Sequence, residues 1–180
     1  MSDIYKWLLV IYKIPAEPSR YRVSVWRHLK ESGAIYLQNS VCILPETNAN
    51  TEIFRSLSNE IEQAGGECLL LTVKPSDESN RQKIIDRFNE ERDIEYSEFI
   101  EQSQAFLEEI RQETERQNFT YAELEENDEG LKRLANWLEK IKGRDFFSAS
   151  KASESEKYFA LCQDVLEGFA SRVFSANQGS

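Results

Sequence analysis

Residues 7–45 read WLLVIYKIPAEPSRYRVSVWRHLKESGAIYLQNSVCILP, and this stretch decides the fold. Its first part, Trp7–Tyr12, is continuously apolar and is followed by Pro15, which predicts a strand buried on both faces. Pro18 and Ser19 predict the start of a helix that ends at Gly33, because glycine readily adopts the left-handed conformation at a helix C-terminus.

Two short strands are predicted next, at residues 34–38 and 41–44, with Asn39-Ser40 as the hairpin turn. Asn50 is a candidate N-cap for a second helix, which Gly65-Gly66 ends, and residues 68–73 form a further apolar strand. The apolar stripe of this second helix comprises Ile53, Phe54, Leu57, Ile61 and Ala64. The resulting order, β-α-β-β-α-β, predicts an α+β protein with a ferredoxin-like domain over residues 1–75.

The strands themselves carry a second prediction. WLLVIY, VCIL and CLLLTV are apolar at successive positions, whereas a sheet with one solvated face should alternate. We therefore expect the face opposite the two helices to be covered, by the rest of the chain or by another subunit.

Residues 76–180 are predicted to form an acidic, antiparallel helical region packed on or beside the first domain. Glu78–Gln117 contains neither Gly nor Pro, and we expect a break or bend near Glu91–Ile94 because one helix of this length would be unusually long. Two capping boxes, Thr120 with Glu123 and Ser153 with Glu156, predict the starts of later helices. Their apolar stripes are Leu131, Leu134, Leu138 and Ile141, and Tyr158, Cys162, Val165, Leu166, Phe169 and Val173.

The composition narrows the function classes. The net charge is −10, and residues 1–75 hold equal numbers of acidic and basic residues, so all of this charge lies in residues 76–180. The three cysteines are widely spaced in apolar segments and indicate core residues, while the single histidine leaves little basis for a metal site, a cofactor or catalysis. We expect a non-enzymatic cytoplasmic protein, because no apolar run approaches the ~20 residues of a membrane helix and no cleavable leader is evident.

The first helix is the one concentrated basic element. Arg20, Arg22, Arg27 and Lys30 are the candidate residues for binding DNA or another anion, and the alternative is an ordinary solvated helix face. A helical wheel places Val25, Trp26 and Leu29 on one side, and it places Arg22 with them. A buried arginine needs a partner, so we expect Arg22 either to pair with an acidic residue of the helical region or to hold an anion at the sheet margin.

The stretch quoted above, together with IEQAGGE, EYSEFI, FTYAELEEND and RDFF further along the chain, resembles the N-terminal domain of the chromate-resistance regulator family ChrB. The resemblance implies a DNA-binding transcriptional regulator linked to the chromate response. It places the family's basic helix residues at Arg22, Arg27 and Lys30, with Trp26 and Tyr36 as structural neighbours. Full-length members continue into a second domain, so this chain is expected to be a stand-alone paralogue or one half of a split system.

More distantly, the β-α-β-β unit resembles the phenylacetate-pathway repressor and the small CRISPR-associated nuclease. The nuclease holds a metal with an aspartate at the end of its first strand, where this chain has Tyr12-Lys13-Ile14, so nuclease activity is not expected. The expected partners are DNA, a second copy of the chain, and chromate or another oxyanion, with no membrane. The alternative function is a protein–protein adaptor in the same stress response, which binds through its acidic helices.

Overall fold

A computed structural model of the chain describes residues 6–178. The elements, in chain order, are β1 (Trp7–Lys13), α1 (Ser19–Ser32), β2 (Ile35–Gln38), β3 (Val41–Pro45), α2 (Asn48–Gln63), β4 (Glu67–Val73), α3 (Glu78–Glu115), α4 (Tyr121–Gly143) and α5 (Ala152–Asn177). They form two compact units. The sheet unit comprises residues 6–91 and Arg144–Phe147, and the helical unit comprises Arg92–Gly143 and residues 148–178.

The sheet unit confirms the predicted α+β fold. Its four strands lie in the order β2-β3-β1-β4, and every neighbouring pair is antiparallel. This is the strand order of the split β-α-β motif, in which the first and third strands are central. The α1 and α2 helices pack on one face, where Leu8 and Val10 of β1 meet Val25, Leu29 and the apolar side of α2 in a buried core.

Glycine ends α1 as the sequence predicts. Gly33 has φ +83°, and its N–H donates to the Lys30 carbonyl at 3.3 Å. A Cβ at this position would lie 2.6 Å from the Cβ of Arg144. Gly33 therefore supplies both the left-handed conformation and the room that the Arg144–Phe147 segment needs.

The N-cap of α2 is Thr47, so the prediction of Asn50 is wrong. The Asn50 N–H donates to Thr47 Oγ1 at 3.0 Å, and the buried Asn50 amide donates to the Pro45 carbonyl at 2.9 Å. Both residue types are good N-caps. The structure uses the earlier one because Asn50 is needed to satisfy a carbonyl at the end of β3. Ile53, predicted to be buried, is 39% exposed.

The second face of the sheet is covered by later parts of the chain, but only in part. Its core is formed by Trp7, Ile35, Ile43 and Phe88, with Phe146 and Phe147 packed against them. Toward β4 the same face is open: Ile11, Leu69 and Leu71 are 41%, 54% and 37% exposed. The expected second layer exists over β2, β3, the start of β1 and the end of β4 at Val73, and it is missing over Leu69 and Leu71.

Of the break or bend predicted near Glu91–Ile94, the break is wrong, because α3 is one helix of 38 residues. No residue in that segment ends a helix. Arg92 Nε lies 3.0 Å from Glu95 Oε2, and this buried ion pair at a spacing of three residues supports the helix where we expected it to stop. The division between the two units falls between Glu91 and Arg92, within the uninterrupted helix.

The helical unit has its own core, formed by the later part of α3 with α4 and α5. Its largest fully buried side chains are those of Tyr96, Phe99, Ile110 and Ile141. The Thr120 side chain accepts from the Glu123 N–H at 3.2 Å, which confirms that half of the predicted box. None of the described helices is both long enough and apolar enough to cross a membrane.

The predicted cap at Ser153 is wrong, since α5 begins at Ala152 and Ser153 lies inside it. Asp93 of α3 supports the start of α5 instead. Its carboxylate accepts from the Lys151 N–H at 2.8 Å and from Ser150 Oγ at 2.8 Å. Because Asp93 is far from α5 in the sequence, no residue near the start of α5 indicates that Asp93 caps it.

Candidate nucleic-acid interface

The α1 helix buries one narrow side and leaves the rest to solvent. Only Val25 and Leu29 are fully buried. All four residues proposed as anion-binding are exposed: Arg20, Arg22, Arg27 and Lys30. The structure thus brings them onto one helix that packs on the sheet through its opposite side.

Arg22 is exposed, so its predicted position on the apolar side of α1 is wrong. Of the two roles expected for it, the ion pair with an acidic residue is not seen in the described chain, and the anion contact stays a prediction. The wheel placed Arg22 on the apolar side because it treated Trp26 as a core residue, whereas Trp26 is 50% exposed. With Trp26 outside, the buried side narrows to Val25 and Leu29, and Arg22 falls beyond its edge. Across residues 6–178, no acidic side chain forms an ion pair with Arg22, Arg27 or Lys30.

Basic and apolar side chains alternate on this exposed side, which we call the α1 outer face: Arg22, Val23, Trp26, Arg27 and Lys30. Arg22, Trp26 and Lys30 follow one another at intervals of four residues and therefore lie along one line of the helix. The Lys30 ammonium lies 5.2 Å from the centre of the Trp26 ring, within the range of a cation–π interaction. Val23 is 46% exposed beside them.

The N-terminus of α1 adds a second electropositive feature. The N-cap residue, Pro18, makes no side-chain hydrogen bond, and the first turn contains no acidic residue. Arg20 lies in that turn, with its guanidinium 5.0 Å from the centre of the Tyr21 ring and Nη2 donating to the Tyr21 hydroxyl at 3.2 Å. Free N–H groups, the helix dipole and this cation together favour an anion such as a phosphate.

Glu60 of α2 is engaged by the other side of α1. His28 Nδ1 lies 2.6 Å from Glu60 Oε2, and Ser24 Oγ donates to Glu60 Oε1 at 2.5 Å. These contacts join the two helices and use the carboxylate without involving the α1 outer face. Sequence reasoning missed Glu60, because nothing local marks a residue of α2 as a partner for α1.

A polar cluster lies beneath the helices, within the sheet core. The hydroxyls of Tyr12 and Tyr36 are 3.0 Å apart, and burial is the main cause that raises the pKa of both. Burial also raises the pKa of the Cys42 thiol to about 12. This thiol is therefore protonated at neutral pH and is a poor nucleophile and metal ligand. Its role is to fill the core, as the sequence predicts.

Fold and site together define a small α+β protein that has a ferredoxin-like sheet with a basic, solvent-facing helix and a second unit of acidic helices. The chain belongs to the ChrB N-terminal family, because the family model described as "Protein ChrB, N-terminal" matches residues 22–180. It is also similar to Protein ChrB of Cupriavidus metallidurans (strain CH34), with 26% identity over 94 residues, or 52% of this chain. The matched segment spans only 28% of that relative's length.

Proposed function

We propose that this chain is a non-enzymatic, DNA-associated protein of chromate resistance that contacts DNA through the α1 outer face. One observation carries the proposal: Arg22, Arg27 and Lys30 remain exposed and without acidic partners in the described chain, around a half-exposed tryptophan. Structural surface cations are commonly paired along a helix, as Arg81, Arg111 and Arg116 are here. Membership of the ChrB N-terminal family supports a role in chromate resistance.

The chemistry of the side chains on this face indicates which of them would contact phosphates and which would contact bases. Arg22, Arg27 and Lys30 suit phosphate oxygens, which fix the protein on the duplex and make affinity depend on salt. Trp26 and Val23 form an apolar strip between them, which suits contact with thymine methyl groups or base edges in a groove. The net charge of −10 opposes binding, so we expect contact through this face alone.

The test is fluorescence anisotropy with the duplex upstream of the protein's own gene, at a series of salt concentrations. We expect log affinity to fall linearly with log salt, with a slope of about −0.9 per phosphate neutralised. The double variant Arg27→Glu/Lys30→Glu should weaken binding by about 100-fold or more and make the slope shallower by about two.

The matched control reverses two exposed lysines of the helical unit, Lys140→Glu/Lys157→Glu, which gives the same change in net charge. This control should lower affinity far less, because only the α1 outer face contacts the phosphates. Equal losses in both variants would mean that bulk charge decides the affinity, and absence of any complex at low salt would end the DNA proposal.

A second candidate function, the protein adaptor, is favoured by one feature of the helical unit. A groove of about 550 Å³ between α4 and α5 has an apolar floor that includes Leu124 and Leu166. Carboxylates line its rim: Glu125, Asp128 and Glu167. Such a groove suits an amphipathic helix with basic flanks. If DNA binding fails, capture of a partner that Tyr121→Lys abolishes and Arg27→Glu leaves intact identifies this alternative, because Tyr121 lines the groove and is 53% exposed.

A further inference from the structure

The outer strand of the sheet, β4, has one free side. Residues 67–73 pair with β1 along their whole length, and no other described strand pairs with them. The backbone N–H and C=O groups that point away from β1 can therefore accept another strand. Seven residues are long enough to add a stable ladder.

The opposite edge, β2, is protected in two ways that β4 lacks. β2 has only four residues, with an irregular register between Tyr36 and Gln38. The Arg87 guanidinium donates to the carbonyls of Tyr36 and Leu37 at 2.5 and 3.3 Å, so polar groups of this strand are already engaged. β4 has no proline or bulge, and its one charged residue, Glu67, is at its start. The sheet is thus closed at one edge and open at the other.

An apolar patch accompanies the open edge. Leu69 and Leu71 project from the face opposite α1 and α2, and Ile11 pairs directly with Leu69 on the same face. The three are 54%, 37% and 41% exposed. Leucines exposed along an unprotected edge strand are the features that native proteins avoid unless another chain covers them.

We propose that a second copy of this chain covers this patch, by antiparallel pairing of β4 with β4 around a two-fold axis near Leu70. In this register Leu69 of each copy lies opposite Leu71 of the other, so the patch is complementary to itself. The remaining pairs agree as well. In this register Glu67 lies opposite Val73 and Cys68 opposite Thr72 of the other copy, so no like charges face each other along the new ladder. Glu67 already lies opposite Lys13 of its own chain.

Pairing of β4 with β4 also determines where the two α1 outer faces lie. Only the inference that both faces contact DNA rests on the proposed function. Directly opposed residues of an antiparallel pair point to the same side of the sheet. The two sheets therefore join into one continuous sheet in which the helix-covered faces of both copies lie on the same side. Both α1 helices then lie on one side of an eight-stranded sheet. Two copies of the outer face could thus contact one duplex.

The test is sedimentation equilibrium of the full 180-residue chain over a wide range of concentrations. We expect the wild-type protein to reach twice the single-chain mass of 20.9 kDa. The double variant Leu69→Lys/Leu71→Lys should show half the wild-type mass. The matched control, Ile53→Lys, alters an isoleucine that is 39% exposed on α2 and should leave the two-chain mass unchanged.

Three results overturn the proposal: a wild-type chain that stays at single-chain mass throughout, a double variant that keeps the two-chain mass, or a control that dissociates equally. If the double variant fails to fold, as judged by circular dichroism, hydrogen exchange of the wild-type chain decides. The β4 amides should exchange more slowly at high protein concentration than at low, and exchange independent of concentration refutes the interface. Loss of DNA binding does not affect these outcomes.

Discussion

Gly66 is the residue at which side-chain size matters most for the sheet unit. A Cβ there would lie 2.3 Å from the Lys13 carbonyl oxygen and 2.9 Å from Ile61 Cγ2. Neither the backbone of β1 nor the end of α2 can move away without loss of packing. We predict that Gly66→Ala lowers the free energy of unfolding by about 2 kcal/mol or more, measured by urea denaturation.

Gly168 provides the control for this prediction. It lies within α5, and a Cβ there would meet no atom within 4 Å. Alanine is favoured over glycine inside a helix, so Gly168→Ala should raise the free energy of unfolding by up to about 1 kcal/mol. Similar losses in the two variants would show that the close approach to Lys13 is not the cause.

Among the helices, the start of α2 gives the most direct test of local structure. Thr47 Oγ1 accepts the Asn50 N–H, and removal of an N-cap side chain usually costs about 1 kcal/mol. We predict that Thr47→Ala lowers the free energy of unfolding by this amount. Ser153→Ala should change it by no more than about 0.5 kcal/mol, because Ser153 is exposed inside α5 and caps nothing. A larger loss of stability for Ser153→Ala than for Thr47→Ala would mean that Ser153 caps α5 after all.

The sequence predicts the type and order of these elements well, because apolar periodicity and glycine positions are local signals. It fails where a distant residue completes the local structure. Asp93 replaces Ser153 at α5, so that helix start could not be assigned from its own residues. At α2 the sequence offers two good N-cap residues three positions apart, and the Asn50 side chain is used by the Pro45 carbonyl instead. The Arg92–Glu95 pair likewise supports α3 where length alone suggested a break.

The sequence indicates which residues form the candidate site, but it does not indicate which side chains of α1 are exposed to solvent. Composition identified the basic helix, and the structure places all four candidate cations in solvent. The wheel misplaced Trp26, because a large apolar side chain is usually a core residue and nothing in a single sequence marks the exception. Once Trp26 is placed on the exposed side of α1, Arg22 is placed there too, because the two residues lie on the same side of the helix.

At the scale of the whole molecule, the chain returns to the sheet unit after two helices. Arg144–Phe147 lies between α4 and α5 in sequence and belongs to the sheet unit. The Phe147 ring lies 5.5 Å from those of Trp7 and Phe88. We predict that Phe147→Ala lowers the free energy of unfolding by about 2 kcal/mol, less than for a fully buried phenylalanine because Phe147 is half-buried.

The control for Phe147 is Phe174→Ala in α5, where the ring is 47% exposed and contacts Tyr121 at the surface. Its cost should stay below about 1 kcal/mol. A fragment of residues 1–91 lacks Phe146 and Phe147 and should unfold at lower denaturant than the intact chain. Equal midpoints would mean that the returning segment contributes nothing to the sheet unit.

The half-exposed indole of Trp26 gives the protein an intrinsic optical reporter. Trp7 is fully buried, whereas the Trp26 ring meets solvent beside Lys30. Iodide, an anion drawn to the neighbouring cations, should quench Trp26 emission more strongly than caesium does. Anything that occupies this helix should shield the ring, so unlabelled protein can signal occupancy through loss of iodide quenching.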